Sequence, residues 1–391
     1  MQKKLLLILL IAFSLNVSAQ WTSVSVSSVG QIEGMDFVSP TTGFICGGAG
    51  VAKTTNGGST WSASSSTGAR DLDFVDSLNG FLTGVVGLMQ KTTNGGSTWV
   101  TLTAPTSSSL WGVSAVDASI AYFSLVDEKV YKTVNGGSSF TTQSVFVSST
   151  QVAMQDIFFV DQLNGCAVTV NAQVYCTSNG GSTWANKYTP SIQAGMNSLY
   201  FPSASVGYSV GTSGLIIKTS DGGNTWSSQV SGTTRKLNFV HFFDATNGII
   251  AGDSGTVLRT TNGGTTWFTE AIGATGNLFS VNMFSPTSAI VGGVNMVYLN
   301  SNLTIGIDEK FKKVFNLYPN PVTNEFTIDA NLSNNASMKL TIFNLSGQKI
   351  KEENVQAFPS TINISELASG IYEIRLTGEA DFFMPKKIVK F

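Results

Sequence analysis

The octet TTNGGSTW occupies Thr54–Trp61 and recurs unchanged at Thr92–Trp99. It returns as TVNGGSSF ending at Phe140, TSNGGSTW ending at Trp184, TSDGGNTW ending at Trp226 and TTNGGTTW ending at Trp267. Its third residue is Asn56, Asn94, Asn135, Asn179, Asp221 and Asn262, giving steps of 38, 41, 44, 42 and 41 residues. That period is the length of one four-stranded propeller blade. Asn or Asp before two glycines supplies residues that tolerate positive φ, so two strands reverse tightly there. The amide or carboxylate accepts backbone N–H groups inside the turn, and the closing Trp offers a large ring to pack between blades. Catalysis needs one unsymmetrical site, so a constellation repeated six times reads as structural.

A second phrase precedes each octet: MDFVSPTTGF from Met35, LDFVDSLNGF from Leu72, VSAVDASIAY from Val113, IFFVDQLNGC from Ile157, LYFPSASVGY from Leu199 and VHFFDATNGI from Val240. A seventh copy, VNMFSPTSAI from Val281, has no octet after it. The missing piece lies at the other end of the chain, where QWTSVSV from Gln20 matches the strand STWVTLT from Ser97. We therefore read seven blades, with the N-terminal strand completing the last. Closing the ring this way removes an unpaired edge and an uncovered sheet face together. Each DFV-type phrase is the innermost strand, the Gly-Phe segment (Gly43 to Cys46 in the first) the second, the run into the octet the third, and the segment from Trp outward the fourth. The expected class is all-β, a seven-bladed propeller followed by a small antiparallel Ig-like sandwich.

Composition narrows the function. Of 391 residues only 12% are charged, 40 are Gly, and the net charge is -2. A near-neutral surface does not neutralise phosphates, which excludes sequence-independent nucleic-acid binding. One His and three Cys exclude a His-rich metal cluster, a zinc ribbon or a dense disulfide framework. No metal and no cofactor is expected, there being no phosphate loop or EF-hand loop either.

The octet resembles the Asp-box, S/T-x-D-x-G-x-T-W, of sialidase and sortilin-like propellers. With its DFV phrase the repeat is most similar to the seven-bladed photosystem II assembly factor family, over about residues 20–300. That resemblance implies the fold, and an arginine patch on the partner-binding face that Arg70 and the Arg235, Lys236 pair match only in part.

Charge density rises near Asp308: residues 308–391 hold ten basic and ten acidic side chains, against ten and fourteen in residues 20–307. The expected organisation is a propeller at 20–300, a linker at 301–313 and a second domain at 314–391. LYPNPVTNEFTI from Leu317, TIFNLSGQKI from Thr341, SGIYEIRL from Ser369 and the terminal KKIVKF resemble the type A C-terminal sorting domain of the type IX secretion system. The resemblance implies a Bacteroidota source, engagement of that secretion machinery through 314–391, and a secreted or outer cell-surface destination reached through the periplasm. Residues 1–19 agree: two lysines, an apolar run from Leu5 to Phe13 and the small residues Val17, Ser18 and Ala19 make a secretory signal peptide, too short for a membrane span. No transmembrane segment is expected elsewhere.

Several apparent catalytic signals dissolve into the repeat. GDSG at Gly252–Gly255, with His241 and Asp244 upstream, resembles a serine-protease arrangement. It fills the hairpin slot of GGAG at Gly47–Gly50 and GTSG at Gly211–Gly214, while His241 fills the innermost-strand slot of Asp36, Asp73, Ser114, Phe158, Tyr200 and Asn282. Sialidase chemistry needs an arginine cluster, and the propeller has only Arg70, Arg235 and Arg259. Arg259 stands where Lys53, Lys91, Lys132 and Lys218 stand, and reads as a solvated strand residue. No catalytic residue is assigned; glycoside hydrolysis by an unidentified carboxylate pair is the alternative to binding. Cys166 and Cys176 lie across one hairpin, where a disulfide and two buried thiols are both open.

Two residues before each innermost phrase stand Glu33, Arg70, Trp111, Gln155, Asn197, Asn238 and Phe279. This ring varies from blade to blade, as a specific binding site requires. Six tryptophans share one repeated slot: Trp21, Trp61, Trp99, Trp184, Trp226 and Trp267, with Phe140 substituting once. Trp111 alone is not required by the repeat; it either stacks on a ligand beside Arg70 or folds over its own loop. The reading is an exported propeller that binds a protein or glycan on this face.

Overall fold

The computed structural model describes residues 21–65, 68–145, 152–190, 194–300, 315–330, 338–344, 349–377 and 386–391. The expected signal peptide and the linker lie outside these. The chain divides into two compact units, Met1–Leu303 and Thr304–Phe391.

The first unit is seven four-stranded antiparallel sheets. In blade 1 the strands are Ile32–Phe37, Gly43–Gly47, Gly50–Thr54 and Ser62–Ser65, each paired to the next. The innermost strands of blades 2 to 7 are Asp71–Phe74, Leu110–Ala115, Met154–Phe159, Met196–Tyr200, Leu237–Phe242 and Ser280–Ser285. Blade 7 takes its outer strand, Thr22–Ser25, from the other end of the chain, with Thr22 opposite Leu299 and Val24 opposite Val297. Ring closure is therefore as the repeat arithmetic requires.

Burial grades outward. Second strands such as Gly43–Gly47 and Gly248–Gly252 are buried at every residue because neighbouring blades cover both faces. Outer strands such as Thr141–Ser144 are mostly exposed and polar, which blunts a pairing edge. The core is divided among interblade clusters, one joining Phe44 and Val51 to Leu72 and Phe74 of the next blade.

The octet closes on itself. Asn56 Oδ1 accepts the Thr60 N–H (2.9 Å), and Thr54 Oγ1 accepts the Gly58 N–H (2.9 Å). Gly57 and Gly58 have φ of 69° and 88°, which a residue with a Cβ adopts only under strain. Asp221 makes the same turn, and hydrogen bonds led by that from Thr225 Oγ1 (2.6 Å) hold its carboxyl down at about 2. Each closing Trp meets, edge to face, the Phe that ends its own blade's innermost strand or, in blade 5, the Phe just after it: Trp99 on Phe74 at 5.8 Å, Trp184 on Phe159, Trp226 on Phe201 and Trp267 on Phe242 each at 5.9 Å. That Phe explains the Gly of the Gly-Phe segment. A Cβ on Gly43 would lie 2.3 Å from the Phe37 ring.

The residue before the octet pins blade to blade. Lys53 Nζ donates to Gly95 O (2.7 Å) and Lys218 Nζ to Gly263 O (2.7 Å), each Lys lying over the aromatic ring opposite it in register, Phe44 or Tyr208. Arg259, expected to be solvated, is instead 5% exposed; it donates to Pro286 O of blade 7 and faces Glu270 at 3.4 Å. In blade 4 the same register pair is Cys166 and Cys176, joined as a disulfide, while Cys46 is buried and free.

The second unit has a three-stranded sheet (Phe315–Tyr318, Glu325–Ala330, Ser360–Asn363) and a four-stranded one (Lys349–Val355, Met338–Asn344, Gly370–Thr377, Lys386–Lys390). They enclose one apolar core that includes Phe315, Phe326, Ile328, Leu340, Ile342 and Ile374. Among the described residues no helix is long and apolar enough to cross a membrane.

Candidate functional site

The innermost strands converge on a central cavity of about 650 Å³, and all seven ring residues line it: Glu33, Arg70, Trp111, Gln155, Asn197, Asn238 and Phe279. Lys236 lines it too. Arg235 does not; it reaches outward to hydrogen-bond Ser254 Oγ. The ring is built by a local irregularity. In blades 1, 3, 4, 5 and 6 the register slips by one residue at Glu33, Trp111, Gln155, Asn197 and Asn238. A bulge turns its extra residue toward the face its neighbour already occupies, so consecutive side chains such as Gln155 and Asp156 both reach the cavity.

At the rim three blades are tied together. Arg70 Nη1 stands 3.3 Å from Glu33 Oε2, and the guanidinium lies 4.3 Å from the centroid of the Trp111 ring. One face of Trp111 is thus already stacked, while its Nε1 is buried without a partner. Burial raises the Glu33 carboxyl, and Arg70 opposes that rise.

Below the rim, all seven joints are crossed by a side chain bonding to the neighbouring backbone. Asp36 Oδ2 accepts the Phe74 N–H (2.8 Å), Asp71 Oδ2 that of Val113 (2.9 Å) and Asp73 Oδ2 that of Ala115 (2.7 Å). Ser114 Oγ accepts the Phe159 N–H (2.9 Å), and Asp156 Oδ2 that of Leu199 (2.7 Å). Asn197 Nδ2 donates to Leu237 O (2.7 Å) and Asn238 Nδ2 to Leu278 O (2.8 Å). His241 Nδ1 accepts the Met283 N–H (3.1 Å), and Ser280 Oγ donates to Ile32 O (3.0 Å). Asp36 and Asp73 share the innermost-strand slot with His241, whereas Asp71 and Asp156 stand one residue before the phrase, where nothing in the repeat singles them out.

Enclosure dominates their ionisation. Loss of hydration pushes Asp36 up to about 6 and Asp156 to about 7, against hydrogen bonds that lower both. Asp71 and Asp73 rise well above the carboxylate range, from desolvation first and then a neighbouring acid. Burial holds His241 down at about 3, so its ring is neutral, and Nδ1 as acceptor puts the proton on Nε2. Among the described residues no three His, Cys, Asp or Glu side chains are disposed to hold a metal ion.

The protease-like arrangement is not assembled. Asp244 Oδ1 caps its own turn through the Thr246 and Asn247 N–H groups, His241 faces the cavity, and Ser254 sits at a hairpin tip with φ of 55°.

Two family profiles match. That of photosynthesis system II assembly factor YCF48 covers residues 13–149, 133–228 and 189–278 in overlapping segments. The chain belongs to the YCF48 family. The secretion system C-terminal sorting domain matches residues 316–390, which marks this YCF48-family protein for type IX secretion, to the cell surface or beyond. No curated protein sequence matches it. Among solved structures, YCF48 bound to D1 peptide is 18% identical over 72% of this chain and 96% of its own, with a TM-score of 0.59. YCF48 from Cyanidioschyzon merolae has the same identity and TM-score over 72% and 98%. A GH74 xyloglucanase from Xanthomonas campestris is 11% identical over 81% of this chain and 60% of its own, with a TM-score of 0.61. At such identities the likeness is one of fold.

Proposed function

We propose that this exported propeller is a binding module that takes a protein or glycan ligand at the cavity mouth. The observation that carries the reading is the convergence of seven ring residues of six kinds on one cavity, in a scaffold whose octets are nearly invariant. Aromatic surface at Trp111 and Phe279, amides at Gln155, Asn197 and Asn238, and charge at Glu33, Arg70 and Lys236 supply the mix with which ligand sites fix orientation. The D1 peptide held by a YCF48 relative is a precedent for a peptide on this fold.

The second reading, glycoside hydrolysis, has one observation in its favour: carboxyls raised toward neutrality by burial, as a general acid requires. Against it, Asp36, Asp71, Asp73 and Asp156 are each engaged with a backbone N–H across a joint. The discriminating experiment is a glycan and peptide binding screen run beside turnover assays on extracellular polysaccharides. Binding that Trp111→Ala weakens, without turnover, supports the module; turnover abolished by one propeller carboxylate substitution overturns it.

A further inference from the structure

Two features of the cavity are left over once the joints are accounted for. Glu33, Asp36, Asp71, Asp73 and Asp156 all line it, against only two cations, Arg70 and Lys236. Arg70 is committed to Glu33 at the rim, and among the described residues no cation pairs with the four aspartates. Independently, Asn282 of blade 7 lines the same cavity, is 5% exposed, and has no hydrogen-bond partner for its side chain among the described residues. Its amide nitrogen and oxygen reach the open space of the cavity, where a ligand can satisfy them.

The acids come from three blades, two from blade 1, two from blade 2 and one from blade 4, and among the described residues they do not form a metal shell. A diffuse set of carboxylates with a free amide carbonyl suits a compact organic cation that accepts no fixed coordination geometry. Each aspartate has acceptor capacity beyond its backbone bond, since a carboxylate offers about four lone-pair sites. The path inward is bordered by Phe279, Phe239 and Phe158, apolar surface that suits an alkyl stem.

We propose that the shaft beneath the mouth receives one alkylammonium group, the side-chain amine of a lysine on a protein partner. The proposal rests on the mouth being the binding site. Lysine carries a point charge on a flexible four-carbon stem, so it passes the aromatic wall and reaches acids that lie below the rim. An amino sugar carries its nitrogen directly on a bulky ring, and a guanidinium demands a planar bidentate partner that staples held by backbone N–H groups do not present. Enclosure keeps Asp71 and Asp73 protonated in the empty shaft, and an arriving ammonium favours their ionised form, so a carboxyl gives up its proton to solvent as the ammonium nitrogen donates to Asp71, Asp73 or Asp156 and to Asn282 Oδ1.

The test uses the full exported chain and three probes: a short peptide with one central lysine, the same peptide with that lysine Nε-acetylated, and a chitosan oligosaccharide. Affinity is measured by titration calorimetry at low salt. The lysine peptide is expected to bind at least about tenfold more tightly than its acetylated form, because only the former places a charge among the acids. Asn282→Leu, which breaks no joint, should weaken the lysine peptide while leaving the melting temperature unchanged. Asp73→Asn, which keeps an acceptor for the Ala115 N–H, should weaken it independently. Equal affinity for the acetylated peptide overturns the ammonium assignment. So does chitosan binding where the lysine peptide does not bind. If a neutral peptide or glycan still binds in a Trp111-dependent way, the binding module stands and only the ammonium assignment falls. If no probe and no member of the wider screen binds at the mouth, both fall.

Discussion

Asp36→Asn separates the two things Asp36 does. The asparagine oxygen still accepts the Phe74 N–H, so the staple between blades 1 and 2 survives, but the charge in the cavity is gone. Asp36 rises from 3.8 to about 6, from enclosure first and against its backbone hydrogen bonds. Below about pH 3 the group is largely neutral in both folded and unfolded chains, and the substitution should change little. From there to about pH 6 the unfolded chain gives up the proton while the folded one keeps it, so wild-type stability falls as pH rises. Above about pH 7 the cost is complete. A tenfold change in ionisation is about 1.4 kcal/mol, so full enclosure sets an upper bound of roughly 3 kcal/mol. The side chain faces an open shaft and is only half-buried by exposed area, which brings the expectation to about 1 to 3 kcal/mol. The Asp36 charge also raises Asp73, so removing it relieves a second group in the same direction. Urea unfolding of both proteins at pH 4 and pH 8 measures the difference. Asp36→Asn should exceed wild type only slightly at pH 4 and clearly at pH 8. An equal loss at both pH values would refute the argument, because it would show that the carboxylate's geometry matters and its charge does not.

Other outcomes follow from the same geometry. Trp99→Ala should cost about 3 kcal/mol, since it removes the ring packed on Phe74 and the hydrogen bond to Ser64 Oγ, whereas Trp111→Ala should leave the melting temperature nearly unchanged and weaken ligand binding. Equal losses of stability would remove Trp111 from the site. Replacing Cys166 with Tyr and Cys176 with Lys together should restore much of the stability that Cys166→Ala loses, because the pair then matches Tyr122 and Lys132 of blade 3; thermal melts of the three proteins decide it. Deleting residues 308–391 should leave a folded propeller that stays in the periplasm, and its appearance outside the cell would reject the sorting role.

The fold was legible because the octet encodes a turn in its own residues: Asn56, two glycines and Thr60 close one hydrogen-bonded loop wherever they occur. Ring closure followed by counting, since seven inner strands with six outer ones leave Thr22–Ser25 nowhere else to pair. The mouth was legible in outline, through variation at Glu33 through Phe279. Its depth was not. A one-residue bulge leaves no compositional mark, so nothing indicated that Gln155 and Asp156 share a face. The joint staples depend on contacts far apart in the chain, 42 residues from Asp71 to Val113, and a contact 27 residues away hid the burial of Arg259 against Pro286. Comparing register pairs across blades would have singled out Cys166 and Cys176 as occupying the Phe44 and Lys53 slot.

Amide hydrogen exchange on the full chain, with and without the ligand found by screening, addresses the face of the ring directly. Slowed exchange should concentrate where the inner strands begin, around Glu33, Arg70 and Trp111, and leave the octet turns around Asn94 and Asn262 unchanged. Slowing confined to those turns, or to the outer strands, would place the ligand elsewhere and contradict binding at the mouth.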